Sequence, residues 1–232
     1  MMKLIKLELQ RINLRPYFIS SAVMGIVLLV FTYFVAYVAQ IEQEVQFMTY
    51  ANIFRFTSAI GIMLFGILSA TMYAKLVIAE YSGKRVALLF SYPISRKKIF
   101  TAKVLIVSFI VLTSMLLCMS ISILVFAATE SIAPIVSDTM TNNLFMKTLR
   151  MTFESSVAII AIGLLSMGIG FLKRSVSITL ISAFVLSGIY GNAAVSASAN
   201  PAISLPVVGI SLVIILLVLL TLSNKINYME VE

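Results

Sequence analysis

The groups that could do chemistry in this chain are few and far apart. Among 232 residues there is no histidine, one cysteine and nine Asp plus Glu. Without histidine there is no HExxH zinc site and no Ser-His or Cys-His nucleophile pair, and a lone Cys118 in an apolar run makes neither an intrachain disulfide nor a zinc cluster. A phosphate-binding P-loop needs G-x-x-x-x-G-K-[ST]. The one Gly-Lys pair, Gly83-Lys84, runs on into Arg85 and has no glycine five residues before it. The residues therefore assign no catalytic group, no metal ligand and no bound cofactor to this chain, and no ATP hydrolysis of its own.

The polar groups inside apolar stretches are the next candidates. Arg150 and Glu154 are four apart, hence on one face if helical, and can pair. Two readings stand: a structural ion pair, or a polar group at the outer mouth of a translocation path that meets a cationic substrate. Tyr33 and Tyr37, with Phe31 and Phe34, give their segment an aromatic outer half that either lines such a path or belongs to an interfacial aromatic belt. Arg55 reads as a snorkelling anchor.

The elements that must position these groups follow from composition. The chain is 61% hydrophobic and 11% charged, against roughly 45–50% and about 25% in soluble domains. An ordinary water-soluble fold is excluded. Crossing the hydrocarbon takes about 20 apolar residues in a helix. Six such segments occur, at about 17–38, 53–74, 102–128, 147–172, 175–194 and 206–223. The predicted fold is an all-α membrane protein of one domain, residues 1–232. The first segment is too long for the apolar core of a signal peptide and lacks a convincing cleavage site, so it reads as an anchor.

Six spans put both termini on one side, and the basic residues decide which. Fourteen Lys and Arg against four acidic residues fall on one side, a net +10; Arg55, Lys147 and Arg150 against five acidic residues fall on the other, a net −2. Both termini are thus expected in the cytoplasm. The formal charge of +8 reports orientation and contact with acidic lipid or protein rather than nucleic acid. No connection is long enough for a soluble domain.

Residues 2–14 carry Lys3, Lys6, Gln10 and Asn13 on one helical face and Leu4, Ile5, Leu9 and Ile12 on the other. This predicts an in-plane helix whose aliphatic stripe contacts the membrane, with Pro16 at the bend into the first span. In the inner connection, Ser82 is placed to cap a short helix with Val86, Leu89 and Phe90 on one face, stopped by Pro93; Ser95 is placed to cap the helix opened by Arg96, Lys97 and Lys98. A short apolar helix flanked by basic residues suits docking in a partner's groove. The fifth segment is short, and the uncharged stretch 191–206 after it reads either as a re-entrant segment or as a long fifth helix followed by an Ala/Ser-rich outer loop.

The stretch Glu80 to Lys103, above all Leu88-Leu89-Phe90-Ser91-Tyr92-Pro93-Ile94-Ser95-Arg96-Lys97-Lys98, resembles the first cytoplasmic loop of ABC-2 type permeases, the membrane subunits of many bacterial ABC exporters. The start Lys3-Leu4-Ile5-Lys6-Leu7-Glu8-Leu9, leading through Arg15-Pro16-Tyr17, is similar to that family's beginning. The resemblance implies that residues 84–91 form a coupling helix docked on a separate cytoplasmic ATPase subunit, which binds the ATP and Mg. Lys84, Arg85, Val86, Leu88, Leu89 and Phe90 would make that contact, and a second permease subunit, identical or not, would complete the transporter. It also supports a re-entrant pair of short helices before the last span. Small permeases of this kind remove amphipathic peptides, as in lantibiotic immunity and phenol-soluble-modulin export. Export of lipophilic drugs, an ATP-driven sensor, a proton-driven secondary transporter and a non-transporting anchor are the rivals. The proton-driven rival is weakened because no Asp or Glu lies deep in any segment.

Overall fold

The computed structural model describes residues 2–42, 49–81, 95–136, 138, 141–199 and 201–227, and every regular element among them is helical. In chain order these are α1 (Met2–Arg11), α2 (Arg15–Glu42), α3 (Tyr50–Tyr73) extended by a π-helical turn (Ala74–Ile78), α4 (Arg96–Ile132), α5 (Asn142–Leu172), α6 (Val176–Ala199) and α7 (Pro201–Asn227). Six helices, α2 to α7, are long and apolar enough to cross a membrane. The chain is a multi-pass membrane protein.

Each helix overruns its hydropathy window where no breaker stops it. The 37 residues of α4 reach about 55 Å, well beyond a bilayer core of about 30 Å. Pro134, just after its last turn, is the first proline after Ser95. Ser95 takes the N-cap position of α4, but its hydroxyl makes no cap hydrogen bond; Lys98 N instead donates to its carbonyl at 2.9 Å. The expected bend at Pro16 lies earlier. α1 ends at Arg11, Asn13 Oδ1 accepts from Arg15 N at 3.2 Å, and Pro16 sits in the first turn of α2, where a missing N–H costs little. The first helix is accordingly shorter than the expected 2–14.

Over 191–206, residue 200 apart, the structure has the long fifth helix of the second reading, with neither a pair of short re-entrant helices nor an Ala/Ser-rich loop. Residues 191–199 continue α6, and 201–206 already belong to α7. Ala is the best helix former, nothing from 191 to 199 breaks a helix, and Pro201 occupies the first turn where proline is tolerated. Where α5 meets α6, Arg174 adopts φ 48°, and Ser175 N bonds back to Gly170 O at 3.0 Å, closing the helix end.

α3 and α5 form the centre. α3 packs against α2, α4, α5 and α6; α5 also holds α7; α2 lies along α4, and α1 crosses the foot of α4. Small residues set the approach: Gly25 faces Cys118, whose thiol donates to Ser21 O at 3.4 Å; Gly163 faces Ser69 and Tyr73; Gly170 faces Thr179. Three pairs of small residues four apart in the sequence, Ser21 and Gly25, Gly66 and Ala70, and Ser166 and Gly170, are thus used within the bundle, with Ala70 and Ser166 fully buried.

The bundle has two chemically different ends. At the basic end Lys97 Nζ donates to Asn224 Oδ1 at 3.1 Å, joining the start of α4 to the end of α7, and Tyr81 packs on Phe100 and Phe171. At the opposite end Tyr50, Phe54 and Phe126 make an edge-and-face aromatic cluster over Glu130. Glu130, expected in an outer loop, is buried in the last turn of α4. It accepts from Tyr50 Oη at 3.0 Å, from Ile135 N at 3.1 Å and from Val136 N at 3.3 Å. Asp138 Oδ2 accepts from Tyr50 N at 3.1 Å. These carboxylates tie the residues after α4 to the start of α3. Glu130→Ala strands three donors, so the loss is expected to be about 2–3 kcal/mol, read as a lowered melting point of the purified protein, with Glu130→Gln intermediate.

Candidate functional site

At the basic end three elements meet on one buried ammonium. Lys103, about two turns into α4, is 1% exposed. It pairs with Glu80 at the end of α3, stands 3.6 Å from Glu8 of α1, and donates to Leu76 O at 3.2 Å. The π-helical turn supplies that carbonyl. Ala79 N bonds to Ala74 O at 2.9 Å, and Glu80 N and Tyr81 N both turn to Val77 O at 3.0 and 3.2 Å, so Leu76 O is left for the lysine. Arg11 closes the cluster from outside, 3.7 Å from Glu80 and 4.0 Å from Glu8. Two carboxylates and two cations leave it neutral. Tyr81 lies beside it with its hydroxyl buried and, among the described residues, without a hydrogen-bond partner. Burial, then Glu80 and Glu8, push the Tyr81 phenol well above its usual range, with Arg96 pulling the other way.

Sequence reasoning missed this cluster, although a signal exists: Glu8 interrupts the aliphatic stripe, three residues after Ile5 and four before Ile12. In α1 the face is divided. Leu4, Ile5 and Ile12 pack half-buried against the core with Glu8 buried among them, whereas Leu7 and Leu9 are exposed. Of the expected membrane-contact stripe, Leu4, Ile5 and Ile12 thus touch the core with part of their surface, and Leu9 is exposed. The ion pair of Glu8 with the buried Lys103 fixes which face of the helix turns toward α4.

At the opposite end Arg150 and Glu154 pair as expected, Nε to Oε1 at 2.8 Å, and Arg150 also donates to Ser204 of α7. They edge a cavity of about 540 Å³ between α5, α6 and α7, with Met146, Lys147, Met151 and Ala197. A narrower cleft continues from Glu154 and Ser204 past Tyr190 to the buried Ser58–Ser155 hydroxyl pair, 2.7 Å apart. The aromatic candidates do not join them. Tyr33 bonds Thr129 across α2 and α4 at 2.5 Å and packs edge-on against Phe126, and Tyr37 is exposed on α2. Neither lines the cavity, because α2 packs on α3 and α4, away from α5 to α7. Arg55 is half-buried, its Nε enclosed and, among the described residues, without a hydrogen-bond partner.

The docking residues Lys84, Arg85, Val86, Leu88, Leu89 and Phe90, and the Ser82 cap, lie outside the described residues. Among the described residues no group of His, Cys, Asp and Glu is arranged to hold a metal ion.

No family model matches the chain, and no solved structure matches it. It is similar to the uncharacterized protein YcbO of Bacillus subtilis (strain 168), with 26% identity over 190 residues that cover 80% of this chain and 81% of the relative.

Proposed function

We propose that this chain is the membrane-spanning permease subunit of an ATP-driven ABC exporter in a bacterial cell membrane, with both termini in the cytoplasm. It would work as a pair of such subunits on two cytoplasmic ATPase subunits, and move amphipathic peptides. The reading rests on the resemblance of residues 80–103 to the ABC-2 cytoplasmic loop. One observation supports it above others. The longest connection at the basic end, residues 79–95, springs from two stems clamped together by Lys103 and Glu80, so a push on that loop would reach α3 and α4 as a unit. Force transmission needs stiff roots, and a buried ion pair with a carbonyl as third partner supplies one. A proton-driven carrier fits less well, since the buried carboxylates described, Glu8 and Glu130, sit toward helix ends, and both are engaged.

The test is recovery of an ATPase subunit with the gently solubilised chain, followed by peptide-stimulated ATP hydrolysis and export in vesicles. Phe90→Asp is expected to leave insertion intact and to cut coupled export at least tenfold. Unchanged export and unchanged stimulated hydrolysis in Phe90→Asp would overturn the docking assignment, and failure to recover any ATPase would favour an anchoring role.

A further inference from the structure

We propose that the cavity between α5, α6 and α7 binds the phosphodiester headgroup of an anionic membrane lipid. This inference is independent of the exporter reading. It starts from charge. The rim carries Lys147, Arg150 and Glu154. Arg150 is already matched by Glu154, while Lys147 is exposed and makes no ion pair among the described residues. The site is therefore one positive charge in excess, which suits a monoanion and disfavours a cationic guest.

The donors suit phosphate oxygens. A guanidinium fork and a mobile ammonium stand one turn apart on α5, positions 147 and 150, with the Ser204 hydroxyl facing them from α7. A volume of about 540 Å³ lies in the range of small-ligand sites. The surroundings suit acyl chains. Met146, Leu149 and Phe153 continue along α5 from the rim, Ile203 and Leu205 flank it on α7, and all five are exposed apolar side chains. Polar donors at the end of a helix bundle, with apolar faces running from them along the spans, match an amphiphile standing in the leaflet, and the bilayer supplies phosphodiesters there at high local concentration.

Glu154 gives the proposal its sharpest consequence. It competes with the phosphate for Arg150, so neutralising it frees a cation. The purified full-length protein is exchanged into micelles doped with dioleoyl-phosphatidylglycerol or dioleoyl-phosphatidylcholine, and retained lipid is counted by native mass spectrometry. Wild type is expected to retain phosphatidylglycerol preferentially. Lys147→Gln is expected to weaken that retention about fivefold and Glu154→Gln to strengthen it about fivefold, in line with about 1 kcal/mol per basic residue; phosphatidylcholine binding stays unchanged. Two variants that move binding in opposite directions cannot both be misfolding. Equal retention by wild type, Lys147→Gln and Glu154→Gln would overturn the site. Displacement of the lipid by millimolar inorganic phosphate would assign the cavity to the free anion and overturn the lipid.

Discussion

Lys103→Met is expected to lower the apparent melting temperature of the purified protein by on the order of 10 °C and to release α1 from the bundle. The ammonium is 1% exposed and is the cation nearest to Glu80 and Glu8, since Arg11 stands 3.7 and 4.0 Å away and is 56% exposed. Removing it leaves two carboxylates facing each other in a partly dry site, with Leu76 O stranded. Breaking a buried pair in this way costs about 3–5 kcal/mol, because the surviving charge keeps its desolvation penalty without its compensation. Glu8→Gln should cost only about 1 kcal/mol, for Lys103 keeps Glu80 and the Leu76 carbonyl, and Glu8 is the more distant carboxylate. The order of the two variants is therefore the test. If Glu8→Gln destabilised as much as Lys103→Met, the cluster would not be organised by the lysine. A triple variant, Lys103→Met with Glu8→Gln and Glu80→Gln, is expected to recover at least half of the loss, because the uncompensated charges are gone. Release of α1 is read by protease sensitivity of residues 2–14, which should rise in Lys103→Met and fall back in the triple variant.

The second large effect is expected at Gly163, where α5 crosses α3. A methyl group there would meet Ser69 Oγ at 2.0 Å, Tyr73 Cε2 at 2.9 Å and Ser69 Cβ at 3.0 Å. The hydroxyl can rotate away, but the ring cannot. Tyr73 is fully buried, and its own hydroxyl is bonded to Ser108 at 2.7 Å. Gly163→Ala must therefore separate the two central helices, at about 2–3 kcal/mol. Gly188 on α6 is the control, since nothing lies within 4 Å of the added carbon. Gly188→Ala should be neutral or stabilising by up to about 1 kcal/mol, as expected for Gly to Ala in an open helix position. Adding Ser69→Ala to Gly163→Ala removes the closest contact and should restore part of the loss, the Tyr73 edge accounting for the remainder. Equal melting points for Gly163→Ala and Gly188→Ala would show that α3 and α5 do not pack this tightly in the membrane.

The residues that matter most in these two predictions were legible to different degrees. Small residues four apart, such as Ser166 and Gly170, announce close helix approach, because in lipid, with no hydrophobic drive between helices, close backbone packing is one of the main forces that hold them together. They do not announce the partner. Ser21 and Gly25 meet α4, while Gly163 meets α3, and which face goes where is set by the whole bundle. Arg150 and Glu154 were legible as a pair because both lie on one helix, where spacing alone dictates distance. Ser204, which completes their site, is 54 positions from Arg150, and no local rule joins them. Tyr33 and Tyr37 had the right chemistry for a path but stand on a helix that packs away from the cavity. The buried cluster was hidden for a related reason. Lys103 and Glu80 look like ordinary flanking charges of two spans, and Glu8 like part of a basic amphipathic helix, until α1, α3 and α4 converge.

By itself the sequence determined that this is a membrane protein of six apolar helices with no histidine for catalysis or metal binding, because hydropathy over about 20 residues and residue content are properties of the chain that no folding can alter. It also determined an amphipathic first helix, through a periodicity that needs no partner. Only the tertiary structure decided which charges are buried together and which polar groups share a cavity. It decided as well between the two readings of 191–206, in favour of helix over 191–199 and 201–206: hydropathy and small size there are compatible with several backbones.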